Sequence, residues 1–216
     1  QTLNGFIRVL FDSLIEVFEE SGFRINWAKG KTEAIVKYRG KNATSATEAL
    51  RKPDGTTGFA LPANAGAPLL HVVRDYKHVG SYIEQEGNLG IDARHRVSLA
   101  RCAYGPISGR VFGSPRISVR LKIRLMNSLI LSKLLYNVHL WTANTCNGKL
   151  AVRVLNDMYM TVARKIAAKC RYSAACDFAN VEVRKRLGLP SIECKIGSVL
   201  LDCCTWAQSA GKGRMS

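Results

Sequence analysis

Leu3, Phe6, Ile7, Leu10, Phe11, Leu14, Ile15 and Phe18 recur at steps of three and four. That spacing predicts an amphipathic helix, and Gly22, a residue suited to the position past a last turn, ends it. Phe23 to Trp27 and Glu33 to Arg39 then read as strand-forming pieces joined by Ala28-Lys29-Gly30-Lys31-Thr32. The two lysines of this turn are either solvated or sit beside something anionic. From Gly40 to Pro68 no period is sustained, and "KPDGTTG" is a turn signal, so this stretch reads as an insertion or wide surface loop. Leu69 to Val73 and Tyr76 to Ile83 read as two more strands, with Gly80 marking a bulge or a close backbone approach. After Gly90 the period turns helical and stays so, near 92–104, 118–141, 150–169, 181–187 and 191–208. Pro106, Pro115, Asn147-Gly148 and Pro190 are the expected separators, Asp92 is an N-cap or first-turn acid, and Ser191 is an N-cap. The pattern is α+β: a helix with a small sheet edge, then a helical bundle.

Charge changes the picture most. The chain has 216 residues, 47% of them hydrophobic, with a formal net charge of +16 and a pI near 9.9. A core is affordable at that length, and the charge points to a polyanion, nucleic acid ahead of an anionic membrane. Eleven of the sixteen acids lie at or before Asp92, and none occurs from Ala93 to Asn156. That window holds Arg94, Arg96, Arg101, Arg110, Arg116, Arg120, Lys122, Arg124, Lys133, Lys149 and Arg153. A solvated helical face mixes both signs, so a one-sign stretch this long fits a phosphate backbone better.

The remaining chemistry is mostly excluded. Seven cysteines form an odd set without a repeated CxxC, and His71, His78, His95 and His139 do not fall at ligand spacing around them, which argues against zinc. Most of the cysteines stand among apolar residues, as small buried hydrophobes in a reducing intracellular compartment would. The apolar run from Leu125 to Trp141 is short and broken by Asn127, Lys133 and Asn137, a core helix and no membrane span. There is no Asp-Asp pair, Asp-x-Asp, P-loop or GxSxG, and Glu19-Glu20 is the only adjacent acidic pair. "GRVFGSP", Gly109 to Pro115, reads as a turn. The first residue is Gln1, and Leu3 already lies on the apolar face, so the expectation is a fragment of something longer.

A helix, "GFRINWAKGKTE", "YKHVGSYI", "HRVSLARCAYGPISGRVFG" and "RLKIRLMNSLILSKLLYNVHLWT" follow one another in an order that resembles the later part of a non-LTR (LINE-like) retrotransposon reverse transcriptase, over roughly residues 1 to 170. Gly22, Phe23, Ile25, Asn26, Lys31 and Thr32 match the family's motif D, with Lys29 the alternative to Lys31 as its lysine. Tyr76, Lys77, Val79 and Gly80 match the primer grip, motif E, with His78 where an aromatic is common. Arg94 through Trp141 match the thumb, Tyr136-Asn137 standing where the family often has Tyr-Gly.

The resemblance implies an antiparallel palm-type sheet edge with a helix over 1–90, a basic helical thumb over 91–170, and a helical C-terminal extension, 171–216, of no assigned role. It implies a part of an RNA-directed DNA polymerase that grips an RNA template and DNA primer duplex, in the nucleus, alongside the upstream fingers and palm of the same polyprotein. Catalytic aspartates are expected upstream of Gln1, so Mg belongs to the intact parent, this chain holds no cofactor or metal, and the fragment alone is expected to be inactive. Lys31, or Lys29, is then the general acid for the pyrophosphate leaving group. Tyr76, Lys77, His78, Val79 and Gly80 are the primer grip. Arg94, Arg96, Arg101, Arg110, Arg116, Arg120, Lys122 and Arg124 bind nucleic acid, with Arg116, Arg120 and Arg124 on one face opposite Ile117, Leu121, Leu125 and Leu129. The competing reading is a non-enzymatic basic helical module, or a degenerate retroelement relic, that binds RNA or DNA.

Overall fold

The computed structural model describes residues 3–60, 69–141, 146–168 and 178–212. The chain is α+β and divides into two compact units, Gln1–Gly87 and Asn88–Ser216.

In the first unit, α1 (Leu3–Glu20) ends as its glycine foretells. Gly22 has φ +75°, its N–H donates to the Glu19 carbonyl, the Phe23 N–H donates to the Phe18 carbonyl, and the Phe18 and Phe23 rings meet edge-on at 6.3 Å. The paired bonds and the apolar clasp form a Schellman stop. The strand expected over Phe23 to Trp27 is not there. Asn26 takes the Ala28 N–H on its side chain and the Thr32 N–H on its carbonyl, so these groups close a turn and form no ladder.

The strands are β1 (Glu33–Ala34), β2 (Gly58–Phe59), β3 (Leu70–Val72), β4 (Asp75–His78) and β5 (Ser81–Glu84). The first three form a sheet in the order β1-β3-β2, and it is mixed, with β1 parallel to β3 and β2 antiparallel to it. That corrects the purely antiparallel expectation. The stretch read as a loop supplies both a short helix, α2 (Ala43–Glu48), and β2, and it buries Leu50 and Phe59 with Leu70. Two well-placed apolar residues were enough to anchor it. A Cβ at Gly58 would come within 2.4 Å of the Leu70 carbonyl, so only glycine lets β2 approach β3 this closely. Residues 61–68 of that stretch lie outside the described residues.

The segment read as one strand from Tyr76 to Ile83 is the β4–β5 hairpin, turning at Val79-Gly80 with φ +45° and +79°. Gly80 is thus a turn residue and makes no bulge. Two positive φ values are the type I′ pattern that suits the twist of paired strands.

The second unit contains α3 (Gly90–Ile107), α4 (Val119–Leu125), α5 (Ser132–Leu134), α6 (Cys146–Ala168), α7 (Asn180–Leu187) and α8 (Ile192–Lys212). Pro106 does not end α3. The chain continues into a widened π turn, Ser108–Phe112, and stops at Gly113. A proline lacks the N–H for one helical bond, and the looser pitch beyond it keeps Phe112 buried. Asn147-Gly148 likewise lies in the first turn of α6, where N–H groups have no intrahelical partner and a glycine costs little. The single helix expected over 118–141 is segmented: α4 passes into a second π stretch, Met126–Leu131, then α5, then a 3₁₀ turn, Val138–Leu140, after Asn137 at φ +57°.

The core of this unit lies where Ala93, Val97 and Ala100 of α3 meet Leu155, Tyr159 and Val162 of α6. Small side chains on α3 bring the helices close, and each fully buried Leu or Val is worth about 1.5–3 kcal/mol. Val183 and Leu187 of α7 and Ile192 and Ile196 of α8 join the same core. Ser191 caps α8, its Oγ accepting the Cys194 N–H. The buried-hydrophobe reading of the cysteines fails for Cys102, Cys194 and Cys204, which are free and exposed on outer helix faces. Among the described residues no helix is long and apolar enough to cross a membrane.

Candidate nucleic-acid interface

Each unit contributes a set of candidate side chains, and each set is built within its own unit. In the first, Gly30 at φ +82° lets the lysine turn fold, and its N–H donates to Glu33 Oε1 at 2.7 Å, which leaves Lys29 and Lys31 projecting as exposed residues. The Tyr76 hydroxyl donates to the Lys31 carbonyl at 2.8 Å, so the lysine turn and the β4–β5 hairpin meet. At the hairpin's other end Gln85 donates to the Val36 carbonyl and Lys37 pairs with Glu86. The residues that stitch this face together, Lys37, Gln85 and Glu86, were not singled out in the sequence, because no local pattern marks a contact 49 positions away.

Pairing in the hairpin sets Tyr76 opposite Ile83, Lys77 opposite Tyr82 and His78 opposite Ser81. Tyr76 and His78 therefore share one side, with their rings nearly parallel and 6.3 Å apart, while Lys77 lies on the other with its ammonium 5.8 Å from the Tyr82 ring. Val79 stands at the tip, 67% exposed. Among the described residues no three or more His, Cys, Asp or Glu side chains gather where they could hold a metal ion.

In the second unit the arginine set splits. Arg94, Arg101, Arg110, Arg116, Arg120 and Arg124 are exposed, and none of them forms an ion pair among the described residues. Arg94 and Arg101 stand seven residues apart on α3 and Arg120 and Arg124 four apart on α4, so each pair occupies one helical face. The Ser118 hydroxyl accepts the Leu121 N–H at 3.3 Å and starts α4 just after Arg116. Lys133, Lys149 and Arg153 are exposed as well.

Arg96 and Lys122 leave this set: they are 2% and 0% exposed and present nothing to a phosphate outside. Arg96 Nη2 lies 3.3 Å from Asp92 Oδ1, the Trp141 indole N–H donates to Asp92 Oδ2 at 3.1 Å, and the guanidinium covers the Tyr136 ring at 4.7 Å. This is a buried ionic clasp. Lys122 shares its stripe with Met126 and Ile130, whereas Leu121 and Leu129, expected on the apolar face, are 46% and 41% exposed. The inward face of α4 is thus the row Lys122, Met126, one position round from the expected row Leu121, Leu125. His139 is half-buried, Trp141 is a core residue, and the Trp206 side chain lies outside the described residues.

Compared with known proteins, the chain matches no family model, no curated protein and no solved structure.

Proposed function

We propose that the chain is the palm-and-thumb part of a non-LTR-type RNA-directed DNA polymerase, and that its own work is to grip a template–primer duplex. The observation that carries this is the set of six exposed arginines that form no ion pair among the described residues, in a stretch free of acids. Such cations gain most by displacing counterions from a phosphate backbone. The contact between Tyr76 and the Lys31 carbonyl supports the same reading, since it puts the two resembled palm elements together. In that setting Tyr76, Lys77 and His78 hold the primer strand, Gly80 turns the hairpin, and Lys31 or Lys29 faces the phosphates of the incoming nucleotide. The upstream fingers and palm of the polyprotein complete the enzyme in the nucleus.

The test is equilibrium binding of an RNA–DNA primer–template duplex across a salt series, with Arg116→Ala/Arg120→Ala/Arg124→Ala alongside. A steep fall of affinity with salt is expected, flattened in the triple variant by roughly 0.9 in the log–log slope for each lost phosphate contact. Weak binding that the triple variant leaves unchanged refutes the reading. Purified chain is expected not to extend a primer, because its sequence has no Asp-Asp pair or Asp-x-Asp of the kind two-metal phosphoryl transfer uses.

A further inference from the structure

A cleft of about 450 Å³ opens between the Met126–Leu131 stretch with α5 on one side and α8 on the other. That volume is within the usual range for small-ligand sites. Leu131, Leu135 and Val199 form its apolar wall, and Asn127, Ser132, Lys195 and Ser198 supply its polar groups. No carboxylate lines it. The Lys195 ammonium lies 3.5 Å from Asn127 Oδ1, a contact at the outer limit of hydrogen bonding, and it retains donors for an anion. The Ser132 hydroxyl donates to the Ser128 carbonyl, which leaves its lone pairs as acceptors on the cleft wall. Asn127 comes three residues after Arg124, so the cleft opens within one turn of the end of the α4 arginine stripe.

We propose that this cleft receives one sugar–phosphate unit of a nucleic-acid strand lying along α4, with Lys195 as its phosphate contact. The proposal rests on reading the α4 arginines as a nucleic-acid face. A sugar–phosphate presents an anion, hydroxyls that both donate and accept, and apolar ring carbons. The cleft answers each with Lys195, with Asn127, Ser132 and Ser198, and with Leu131, Leu135 and Val199. It also gives α8, which had no role in the sequence, a place in binding. A free mononucleotide has the same chemistry, so the source of the unit has to be distinguished by experiment.

The experiment uses the full chain and a labelled RNA–DNA duplex from about 50 to about 200 mM salt, comparing the unsubstituted chain, Arg120→Ala/Arg124→Ala, Lys195→Gln and Ser198→Glu. Lys195→Gln is expected to reduce the log–log salt slope by roughly 0.9, one phosphate contact, with an unchanged melting midpoint. Ser198→Glu, which sets a negative charge in the cleft, is expected to weaken binding about tenfold or more at the lower salt. If the arginine variant flattens the slope while Lys195→Gln and Ser198→Glu both match the unsubstituted chain, the cleft proposal falls and the α4 face stands. If the unsubstituted chain shows no steep slope, the α4 face falls and the cleft proposal with it. Uridine monophosphate binding more tightly than the duplex, in a Lys195-dependent way, overturns the assignment to a strand.

Discussion

Asp92→Ala tests the clasp that separates Arg96 from its exposed neighbours. In the folded chain the Asp92 carboxylate faces Arg96 Nη2 at 3.3 Å and accepts the Trp141 indole N–H at 3.1 Å, with Asp92 and Arg96 1% and 2% exposed. Removing the carboxylate leaves a guanidinium in the interior without its counter-charge, a loss of about 3–5 kcal/mol. The indole N–H loses its acceptor as well, worth about 1–3 kcal/mol, and the two costs overlap because they arise at one carboxylate. A loss near 4 kcal/mol is a large part of the roughly 5–15 kcal/mol that holds a domain together. It corresponds to a melting midpoint lower by about 10 °C or more. Urea unfolding followed by Trp fluorescence measures it directly. Asp92→Ala/Arg96→Met should recover most of the loss, since an apolar side chain in place of a buried charge removes the penalty instead of sharing it. Arg94→Ala, two positions away and exposed, should change stability by no more than about 0.5 kcal/mol while lowering the salt slope of duplex binding. A cost below about 1 kcal/mol for Asp92→Ala, or a double variant no more stable than the single, refutes the clasp as described.

Burial pushes the Tyr159 phenol up to about 12 from an ordinary 10.0, with the Arg184 charge opposing part of the rise. The folded state keeps its proton longer than the unfolded chain, so this stabilisation is complete below the ordinary value and is lost as pH climbs through the folded one. Tyr159→Phe should therefore lose less stability between those two values than the unsubstituted chain, at a cost near neutrality of about 1 kcal/mol for the hydrogen bond to the Pro190 carbonyl. Parallel alkaline unfolding curves for the two proteins would count against it. Val79→Asn should stabilise the hairpin by about 0.5–1 kcal/mol, because a β-branched residue at φ +45° gives way to one that tolerates the left-handed region. Slower amide exchange in Asp75–His78 and Ser81–Glu84 would register it, and faster exchange would mean that the turn has another conformation.

The sequence disclosed what depends on neighbours a few residues away. The spacing of Leu3 to Phe18, Gly22 as its stop and Ser191 as a cap all rest on local bonds, and the structure has them. It concealed what depends on partners far along the chain. Asn26 diverts backbone donors from a strand, and Leu50 and Phe59 turn an apparent loop into part of a core through Leu70. The hairpin was hidden because Val79 occupies a position where Asn or Asp usually advertises the turn. Lys122 and Arg96 read as surface cations because charge is a poor guide to burial when the inward face lies one position round from the expected one, as at Lys122, or when an acid waits one turn away, as at Arg96. The exposed arginines were legible for the opposite reason: a long stretch without acids is a property of composition, and folding did not bring carboxylates to them among the described residues.

The Met126–Leu131 π stretch gives this helix one residue of slack in chain length. Deleting a single residue there would let the segment relax into ordinary α-helix, and because five residues at about 100° each sweep nearly the arc of six at the wider pitch, all that follows would keep its rotation. Leu134, Val138 and Trp141 would still face the core and the indole would still reach Asp92, whereas the same deletion within the regular turns of α4 would rotate them away by about 100°. The place in this helix most tolerant of a one-residue deletion is thus the run Met126-Asn127-Ser128-Leu129-Ile130-Leu131.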